Sequence, residues 1–267
     1  MAAPVATTFG GAVEGLGFGY GQLLAVGVSA AGVFLCDGAG LQAMNIAADQ
    51  VSREFGTSAG LRALLPTADT FGLMLGALAA GRYGDVIGRQ RPILLSYLGM
   101  SIFGLLSCLA PTFCLLLAFR VCFGFSMGFG WPPSIALASE VTPVQWKMAV
   151  RAGSQICFPF GQLLVLLFAY CDSRTLAFLH WRALLALYAL IPIVLLALAR
   201  RWLPESPVFL FAAGRHAEAK AELKLIAQRN GAAVADYDAP AEGAEGAGAK
   251  GGTSVGLIAV VTSGRYP

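Results

Sequence analysis

Long apolar runs, separated by short polar segments, dominate the first 200 positions of the chain. Six of these runs reach the length of about 20 residues that an α-helix needs to cross a hydrocarbon core about 30 Å thick. They lie at residues 23–44, 61–80, 93–111, 114–136, 153–171 and 181–199. The pattern therefore predicts an all-α membrane protein, with a bundle of six transmembrane helices over residues 23–200 and a cytoplasmic N-terminal segment, residues 1–22, before it.

The pattern changes after the sixth run. Between Ser206 and Asn230, apolar and charged residues alternate at roughly helical spacing, with Gly214 as a break and Gly231 as a stop. We therefore expect residues 201–231 to form cytoplasmic amphipathic helices.

The last part of the chain is different again. Residues 232–253 are rich in Gly, Ala and acidic residues, which predicts a flexible linker. The apolar run at 255–261 is too short to cross a bilayer. We interpret residues 254–267 as either the truncated start of a second bundle or a disordered tail.

The composition supports a membrane location and excludes several other classes. Hydrophobic residues make up 57% of the 267 positions and charged residues only 12%, against about 25% charged in soluble domains. The net charge of +3 comes without a basic stripe, so no nucleic acid partner is expected. The six cysteines lack CxxC spacing, which argues against a zinc site. We expect a lipid bilayer and a small solute as partners, and no cofactor or metal.

Basic residues near the ends of the runs predict the orientation, because loops rich in Lys and Arg stay in the cytoplasm. With the N-terminus in the cytoplasm, the cytoplasmic side carries twelve of them: Arg82, Arg89, Arg91, Lys147, Arg151, Arg200, Arg201, Arg215, Lys220, Lys224, Arg229 and Lys250. The opposite side carries four: Arg53, Arg62, Arg174 and Arg182. The first 52 residues contain no Lys or Arg, so we expect no cleaved signal peptide and a location in the plasma membrane or an endomembrane.

The loop between the second and third runs, residues 81–91, carries the most specific motif. Gly81 and Gly88 permit a tight turn. Asp85 is predicted at a helix C-terminus, where the helix dipole disfavours an anion by about 0.3–1 kcal/mol. The carboxylate needs a partner, either Arg89 or the N-terminus of another helix. We predict a charge latch that forms and breaks as the protein changes state; the alternative is a basic loop with an incidental acid.

This loop resembles the signature loop of the major facilitator superfamily of transporters, with the spacing Gly, three residues, Asp, two residues, Gly, Arg. Three further segments are similar to the sugar porters, the organic-ion transporters and the synaptic vesicle glycoprotein 2-like branch. They are the opening and first span (Val13, Glu14, Gly21, Gln22, Asp37, Gly38), the fourth span and its following loop (Arg120, Gly124, Gly128, Gly130, Glu140, Pro143, Lys147), and the segment after the sixth span (residues 201–207, Gly214, Arg215, Glu218, Ala219, Asn230, Gly231).

The resemblance implies one six-helix half of a transporter in which two bundles enclose a solute and expose it alternately on each side of the membrane. It also implies a set of cytoplasmic latch residues, with Asp85 paired inside this chain to Arg89, Lys147 or Arg151: Gly81, Asp85, Gly88, Arg89, Glu140, Lys147, Arg151 and Glu205. Two hypotheses follow. The chain is a transporter half, truncated or working with a second six-helix half, or it is a non-transporting scaffold or regulatory half that packs against a full transporter.

Three charged residues lie inside the predicted spans, where each costs at least about 2.5 kcal/mol on insertion scales. Asp37, Asp69 and Arg120 lie seven, eight and six residues from the outer ends of their spans. At about 1.5 Å per residue, all three are about 9–12 Å below the outer surface. We predict that Arg120 pairs with Asp37, Asp69 or both. A substrate or proton-coupling role and a purely structural ion pair are both open.

Other polar groups in the spans are weaker candidates. Gln155 and Gln162 are seven residues apart, so they share a face of the fifth span and would bind either a polar solute or another helix. Trp131 with Pro132 and Pro133 could break the fourth span, although aromatic packing would explain Trp131 equally well.

An enzyme is not expected. Gly124, Ser126 and Gly128 fit the GxSxG pattern of serine hydrolases, but that chemistry needs a histidine base. The chain has only His180, at the mouth of the sixth span, and His216, after it. The early glycines also lack the GxGxxG spacing of a nucleotide site: Gly15, Gly17, Gly19 and Gly21.

Overall fold

The computed structural model describes residues 13–173 and 180–231, apart from the side chains of Arg82 and Asp85. In these residues the regular structure is helical and no strand occurs. The helices are α1 Tyr20–Phe55, α2 Ala59–Ile87, α3 Gln90–Cys108, α4 Phe113–Glu140, α5 Lys147–Asp172, α6 Trp181–Trp202, α7 Pro207–Ala212 and α8 His216–Asn230. Helix α1 contains a π-helical segment, Gly27–Ala31.

Helices α1 to α6 are, within the described residues, the six that are long and apolar enough to cross a membrane. They confirm the predicted all-α fold with six spans. Several helices continue beyond the predicted apolar runs; α1 extends to Phe55 and α4 to Glu140. Helix α4 also runs unbroken through Pro132 and Pro133, so the break considered at this point is wrong. Membrane helices tolerate proline because the freed backbone groups find other partners.

Among the spans, α1 packs mainly against α5, and α3 packs against both α4 and α6; α1 also contacts α6 and α2. Helices α2 and α4 make the most extensive contact. A Cβ atom on Gly124 of α4 would overlap the carbonyl oxygen of Asp69, and one on Gly72 of α2 would overlap that of Val121. Glycine is therefore required on both sides of this crossing, as is common where membrane helices approach closely.

One end of the bundle, which we call the Glu54 end, is joined by side chains of α1 and α6. Glu54 accepts hydrogen bonds from Trp181 Nε1 at 2.6 Å and from Arg182 Nη1 at 2.5 Å. The Arg182 guanidinium also donates to the carbonyl oxygens of Cys108 at 3.1 Å and Ala110 at 3.3 Å. One arginine thus links the ends of α1, α3 and α6.

Helices α7 and α8 confirm the helical segment predicted after the sixth span. Gly214 separates them with a φ of +75°, and Gly231 ends α8 with a φ of +67°, both in the left-handed region that favours glycine. The hydroxyl of Ser206 caps α7 by accepting from the Phe209 amide at 3.1 Å. The predicted linker and tail, residues 232–267, lie outside the described residues, and the predicted domain limits stay predictions.

Replacing Gly124 with alanine tests the α2–α4 crossing. The new methyl group would meet the Asp69 carbonyl, so we expect the free energy of unfolding to fall by about 1–3 kcal/mol, the usual effect of overpacking. Thermal unfolding in detergent micelles measures the change. Gly153→Ala is the matched control, because a Cβ there meets nothing within 4 Å. Equal melting of the two variants would mean that α2 and α4 are not in close contact.

Candidate functional site

Arg120 and Asp69 form a buried ion pair between α4 and α2. Arg120 is 0% exposed and Asp69 is 4% exposed. Arg120 Nε donates to Asp69 Oδ1 at 2.8 Å, and Arg120 Nη2 forms a second, shorter hydrogen bond to Oδ2. Two parallel bonds of this kind fix the orientation of both groups. The predicted pairing of Arg120 is therefore confirmed for Asp69.

Neighbouring residues hold the guanidinium in place. Its Cζ atom lies 4.4 Å from the ring centroid of Phe123, in a cation–π arrangement. The Phe123 ring packs edge-on against Tyr188 of α6, with the centroids 5.7 Å apart. Arg120 Nη1 is buried and has no hydrogen-bond partner in the described part of the chain. The ion pair therefore satisfies only one side of the guanidinium.

Asp37 on α1 lies near this pair without joining it. It is half-buried, and its carboxylate makes no hydrogen bond or ion pair with another described residue. Its charge is close enough to interact with that of Asp69. The Tyr188 hydroxyl lies within electrostatic reach of Asp37, Asp69 and Arg120, and it donates to the Cys36 carbonyl at 3.3 Å. We call Asp37, Asp69, Arg120 and Tyr188 the polar cluster.

Sequence reasoning missed Tyr188 as a member of the cluster. The available signal was a single hydroxyl inside the apolar sixth run. The sequence does not show which residues this hydroxyl contacts across the bundle. One of these contacts is with Gly40 on α1. A Cβ atom on Gly40 would lie 2.8 Å from the Tyr188 hydroxyl oxygen, so α1 approaches the tyrosine closely at this point.

The charges of the polar cluster do not balance when both carboxylates are ionised. Arg120 neutralises Asp69, which leaves Asp37 as an extra negative charge in a region where an isolated charge is expensive. Such a carboxyl group can take up a proton, or it can face a hydroxyl or cationic group of a solute. The free Nη1 of Arg120 can donate to an oxygen acceptor. The cluster thus offers one acidic group and one cationic donor.

The other predicted candidates on α5 lie apart from any described hydrogen bond. Gln155 is exposed and Gln162 is half-buried, and neither amide bonds to another described residue. Their predicted role as solute ligands stays a prediction.

The end of the bundle opposite Glu54, which we call the Gly88 end, is organised by the Glu205 carboxylate. Glu205 Oε1 accepts from the backbone amides of Arg89 at 2.8 Å and Gln90 at 3.2 Å, at the start of α3. It also accepts from the Ser206 amide at 2.8 Å. An anion at a helix N-terminus is favoured by unpaired amides and by the helix dipole. Glu205 therefore joins the segment after α6 to α3.

Gly88 and Arg89 complete this arrangement. Gly88 has a φ of +102°, and a Cβ atom there would overlap the Glu205 carboxylate, so glycine is required. Arg89 Nη2 lies 3.3 Å from Glu140 Oε1, Arg89 Nη1 donates to the Gly84 carbonyl at 2.6 Å, and its Cζ atom lies 5.1 Å from the Phe209 ring. The loop between α2 and α3 is thereby connected to α4 and α7.

The predicted latch at Asp85 lies outside the described side chains and stays a prediction. Of its three proposed partners, Arg89 pairs with Glu140, whereas Lys147 and Arg151 are exposed and form no ion pair with a described side chain. Gly81 faces open space. Sequence reasoning grouped Glu140 and Glu205 with the latch but did not foresee that Glu205 caps α3.

Glu222 on α8 is a second, less favourable carboxylate near Glu205. It is half-buried, and its Oε2 atom has no hydrogen-bond partner in the described residues. Burial raises the pKa of Glu222 above its ordinary value, and the nearby charge of Glu205 raises it further, against the opposing effects of a hydrogen bond from the Glu205 backbone and of the charge of Arg229. Folding therefore favours the protonated form of this group more than the unfolded chain does.

Glu205→Ala tests the capping interaction. It removes an anion that accepts from three amides, and we expect unfolding to become easier by on the order of 2 kcal/mol, since hydrogen bonds to charged groups are stronger than neutral ones. Glu205→Gln should have a smaller effect, because its amide oxygen still accepts. Thermal unfolding monitored by tryptophan fluorescence reports both. Glu218→Ala is the control, because that exposed residue pairs with Arg215 at the surface; a loss as large in this control would remove the special role of Glu205.

The pH dependence of stability tests Glu222. Because its pKa is raised in the folded state, the folded protein binds more protons than the unfolded chain at pH values above the ordinary glutamate pKa, and stability falls as pH rises through this window. Glu222→Gln should flatten this part of the curve and increase stability above it. Unfolding curves of both proteins from pH 4 to pH 8, roughly the range around that pKa, provide the measurement. Parallel curves would show that Glu222 titrates normally.

Comparison with known proteins places this geometry in a family. The synaptic vesicle 2-related protein of Xenopus laevis is 31% identical to this chain over 83% of it, and the 4-hydroxybenzoate transporter PcaK of Pseudomonas putida is 28% identical over 88% of it. The chain spans 39% and 50% of the lengths of these relatives. The 3-(3-hydroxy-phenyl)propionate transporter of Escherichia coli is 29% identical over 66% of this chain and is spanned to 43% of its length.

A solved structure shares the fold. The proton:xylose symporter XylE, a major facilitator protein, superimposes with a TM-score of 0.69 at 19% identity, over 77% of this chain and 49% of that one. The six spans therefore have the arrangement of one half of the major facilitator fold. Residues 44–247 match the family described as "Sugar (and other) transporter". The chain thus belongs to the "Sugar (and other) transporter" family.

Proposed function

We propose that this chain forms the N-terminal half of an alternating-access transporter for a small polar or organic-ion solute, and that its polar cluster contacts the solute or a coupling proton. The observation that carries the proposal is the buried Arg120–Asp69 pair, with Arg120 Nη1 unbonded and Asp37 beside it. Ionisable groups inside a membrane bundle are expensive, and they mark solute or ion pathways.

A purely structural role explains the cluster less well. A structural pair is favourable only when the remaining hydrogen-bonding groups are satisfied, because desolvation offsets the attraction between the charges. Here one nitrogen of Arg120 is unsatisfied, and Asp37 adds a charge that the pair does not neutralise. A solute acceptor at Arg120 and a proton on Asp37 would resolve both.

The orientation and the second half are part of the proposal. The Gly88 end faces the cytoplasm, in agreement with the excess of Lys and Arg on that side of the sequence. The N-terminus lies on the same side. The bundle spans the plasma membrane or an endomembrane. A second six-helix bundle completes the solute path. Its place is beside α5, which carries an exposed apolar stripe of Ile156, Phe160, Leu163 and Leu167.

The relatives suggest the solutes to test first. Two of them are named as transporters of aromatic carboxylates, 4-hydroxybenzoate and 3-(3-hydroxy-phenyl)propionate. A carboxylate is a good acceptor for an arginine N–H group, and the Phe123 ring lies against the guanidinium, with the Tyr188 ring packed on Phe123. An aromatic carboxylate therefore fits this side of the cluster better than a neutral sugar.

Uptake of labelled 4-hydroxybenzoate into liposomes containing the chain tests the function. Asp37→Asn keeps the shape of the side chain and removes its charge, and we expect at least about a tenfold loss of proton-driven uptake, the order reached when one well-placed ionisable group is removed. Arg120→Lys should abolish uptake, since lysine cannot reproduce the bidentate pair. Asp49→Asn is the control, because Asp49 pairs with Arg62 at the surface.

The outcomes separate the two hypotheses from the sequence. Uptake that is unchanged in Asp37→Asn and Arg120→Lys, with normal protein levels, would leave the cluster a structural feature. No uptake by the unaltered chain, together with altered transport by a full-length relative reconstituted with it, would favour the scaffold or regulatory role.

A further inference from the structure

The residues before α1 form a short segment, Val13–Gly19, which we call the N-terminal strap. Two of its side chains contact the turn before α5. Glu14 Oε1 accepts from the Val144 amide at 2.9 Å. The Phe18 ring stacks on Trp146, with the centroids 5.2 Å apart and the planes 23° from parallel. The strap is thus attached to the α4–α5 connection.

Asn230, the last residue of α8, holds the other side of the strap. Its Oδ1 accepts from the Gly21 amide at 2.8 Å. Its Nδ2 donates to Gln22 Oε1 at 2.8 Å and to the Leu16 carbonyl at 3.3 Å. One amide side chain therefore uses both its donor and its acceptor groups to join α8 to the start of α1.

Gln22 extends the contact into the strap. It is 0% exposed. Its Oε1 also accepts from the Gly19 amide at 3.1 Å, and its Nε2 donates to the Gly17 carbonyl at 2.8 Å. A polar side chain buried at this position is fully bonded only when both the strap and Asn230 are in place, so their positions depend on each other.

Two of the early glycines without GxGxxG spacing, Gly19 and Gly21, are required by this contact. A Cβ atom on Gly19 would lie 2.6 Å from Asn230 Cγ, and one on Gly21 would lie 2.8 Å from the Ile226 carbonyl oxygen. Gly17 has a φ of +62°. The backbone at Gly19 and Gly21 therefore lies directly against α8, with no room for a Cβ atom, whereas Gly17 is favoured by its left-handed φ.

Helix α1 is less firmly held by α5 near the strap than it is farther along. The two helices are in close contact at Gly38 and Gly161, where a Cβ atom would overlap the partner backbone. Toward the strap they separate, and a Cβ on Gly27 or Gly153 meets nothing within 4 Å. An open crevice of about 340 Å³ lies there, with Phe18 and Trp146 among its lining residues. The π-helical segment of α1 begins at this level, and such segments often mark functional positions.

We propose that Asn230 and Gln22 form a clasp that couples the segment after the sixth span to the first span. A displacement of α8 is transmitted through Asn230 to Gly21 and Gln22, and so to the start of α1. Arg229 Nη1 donates to the Trp202 carbonyl at 2.9 Å and ties the same turn of α8 to α6. Asn230 and Gln22 are positioning residues for α1, the helix that carries Asp37.

Hydrogen exchange of the chain in lipid nanodiscs tests the clasp, because coupling between two sites must be reciprocal. Asn230→Ala removes three hydrogen bonds, and we expect the amides of Gly19 and Gly21 to exchange at least about tenfold faster. Gly21→Ala places a methyl group against the Ile226 carbonyl, and we expect α8 to exchange faster by a similar factor. Gln228→Ala, an exposed change on the same turn of α8, is the matched control and should leave the strap unchanged.

A merely local role gives a different result. If Asn230→Ala accelerates exchange only in α8, or Gly21→Ala only in the strap, the clasp does not couple the two segments and the proposal fails. Unchanged exchange around Gly128 on α4 shows that the bundle is folded. Asn230→Asp is the second variant: it keeps the acceptor for the Gly21 amide but sets a carboxylate oxygen against Gln22 Oε1 and the Leu16 carbonyl, so its strap should also exchange faster than that of the unaltered chain. Exchange equal to that of the unaltered chain would overturn the proposal.

Discussion

The close approach of α2 and α4 is the constraint on which the rest of the bundle depends. Only glycine at Gly72 and Gly124 allows the backbones to meet, and this approach brings Asp69 within reach of Arg120. A wider crossing would leave two opposite charges separated in a region where water cannot solvate either of them. The close packing at these two glycines and the burial of the ion pair therefore depend on each other.

The two ends of the bundle are joined by different chemistry. At the Glu54 end, Arg182 donates hydrogen bonds to two carbonyl oxygens and one carboxylate. At the Gly88 end, the Glu205 carboxylate gathers backbone amides at the start of α3. Both arrangements satisfy groups that helix termini leave unpaired. Arg89 and Glu140 extend the second arrangement to α4, so the loop between α2 and α3 has contacts on two sides.

The sequence predicts the spans, the helices after them and one partner of Arg120, because these depend on local apolar length, on glycine stops and on the cost of a buried charge. It does not predict contacts that need the three-dimensional order of the helices. Tyr188 joins the polar cluster only because α6 packs against α1 and because its ring reaches Phe123 of α4. Its motif groups Glu205 with the latch residues, but its role as a cap requires α3 to begin beside it. The need for glycine at Gly19 and Gly21 follows only from their contact with α8.

The contact between Gly21 and Asn230 also has a consequence for biogenesis. The two residues are 209 positions apart in the chain, with all six spans between them. During synthesis the first span emerges long before α8 exists, so this hydrogen bond forms only after the last span has entered the membrane. Until then Gln22 lacks one of its partners. The start of the first span is therefore among the last parts of the bundle to reach its final structure. If synthesis stops before residue 230, the released chain cannot form this hydrogen bond at the start of its first helix.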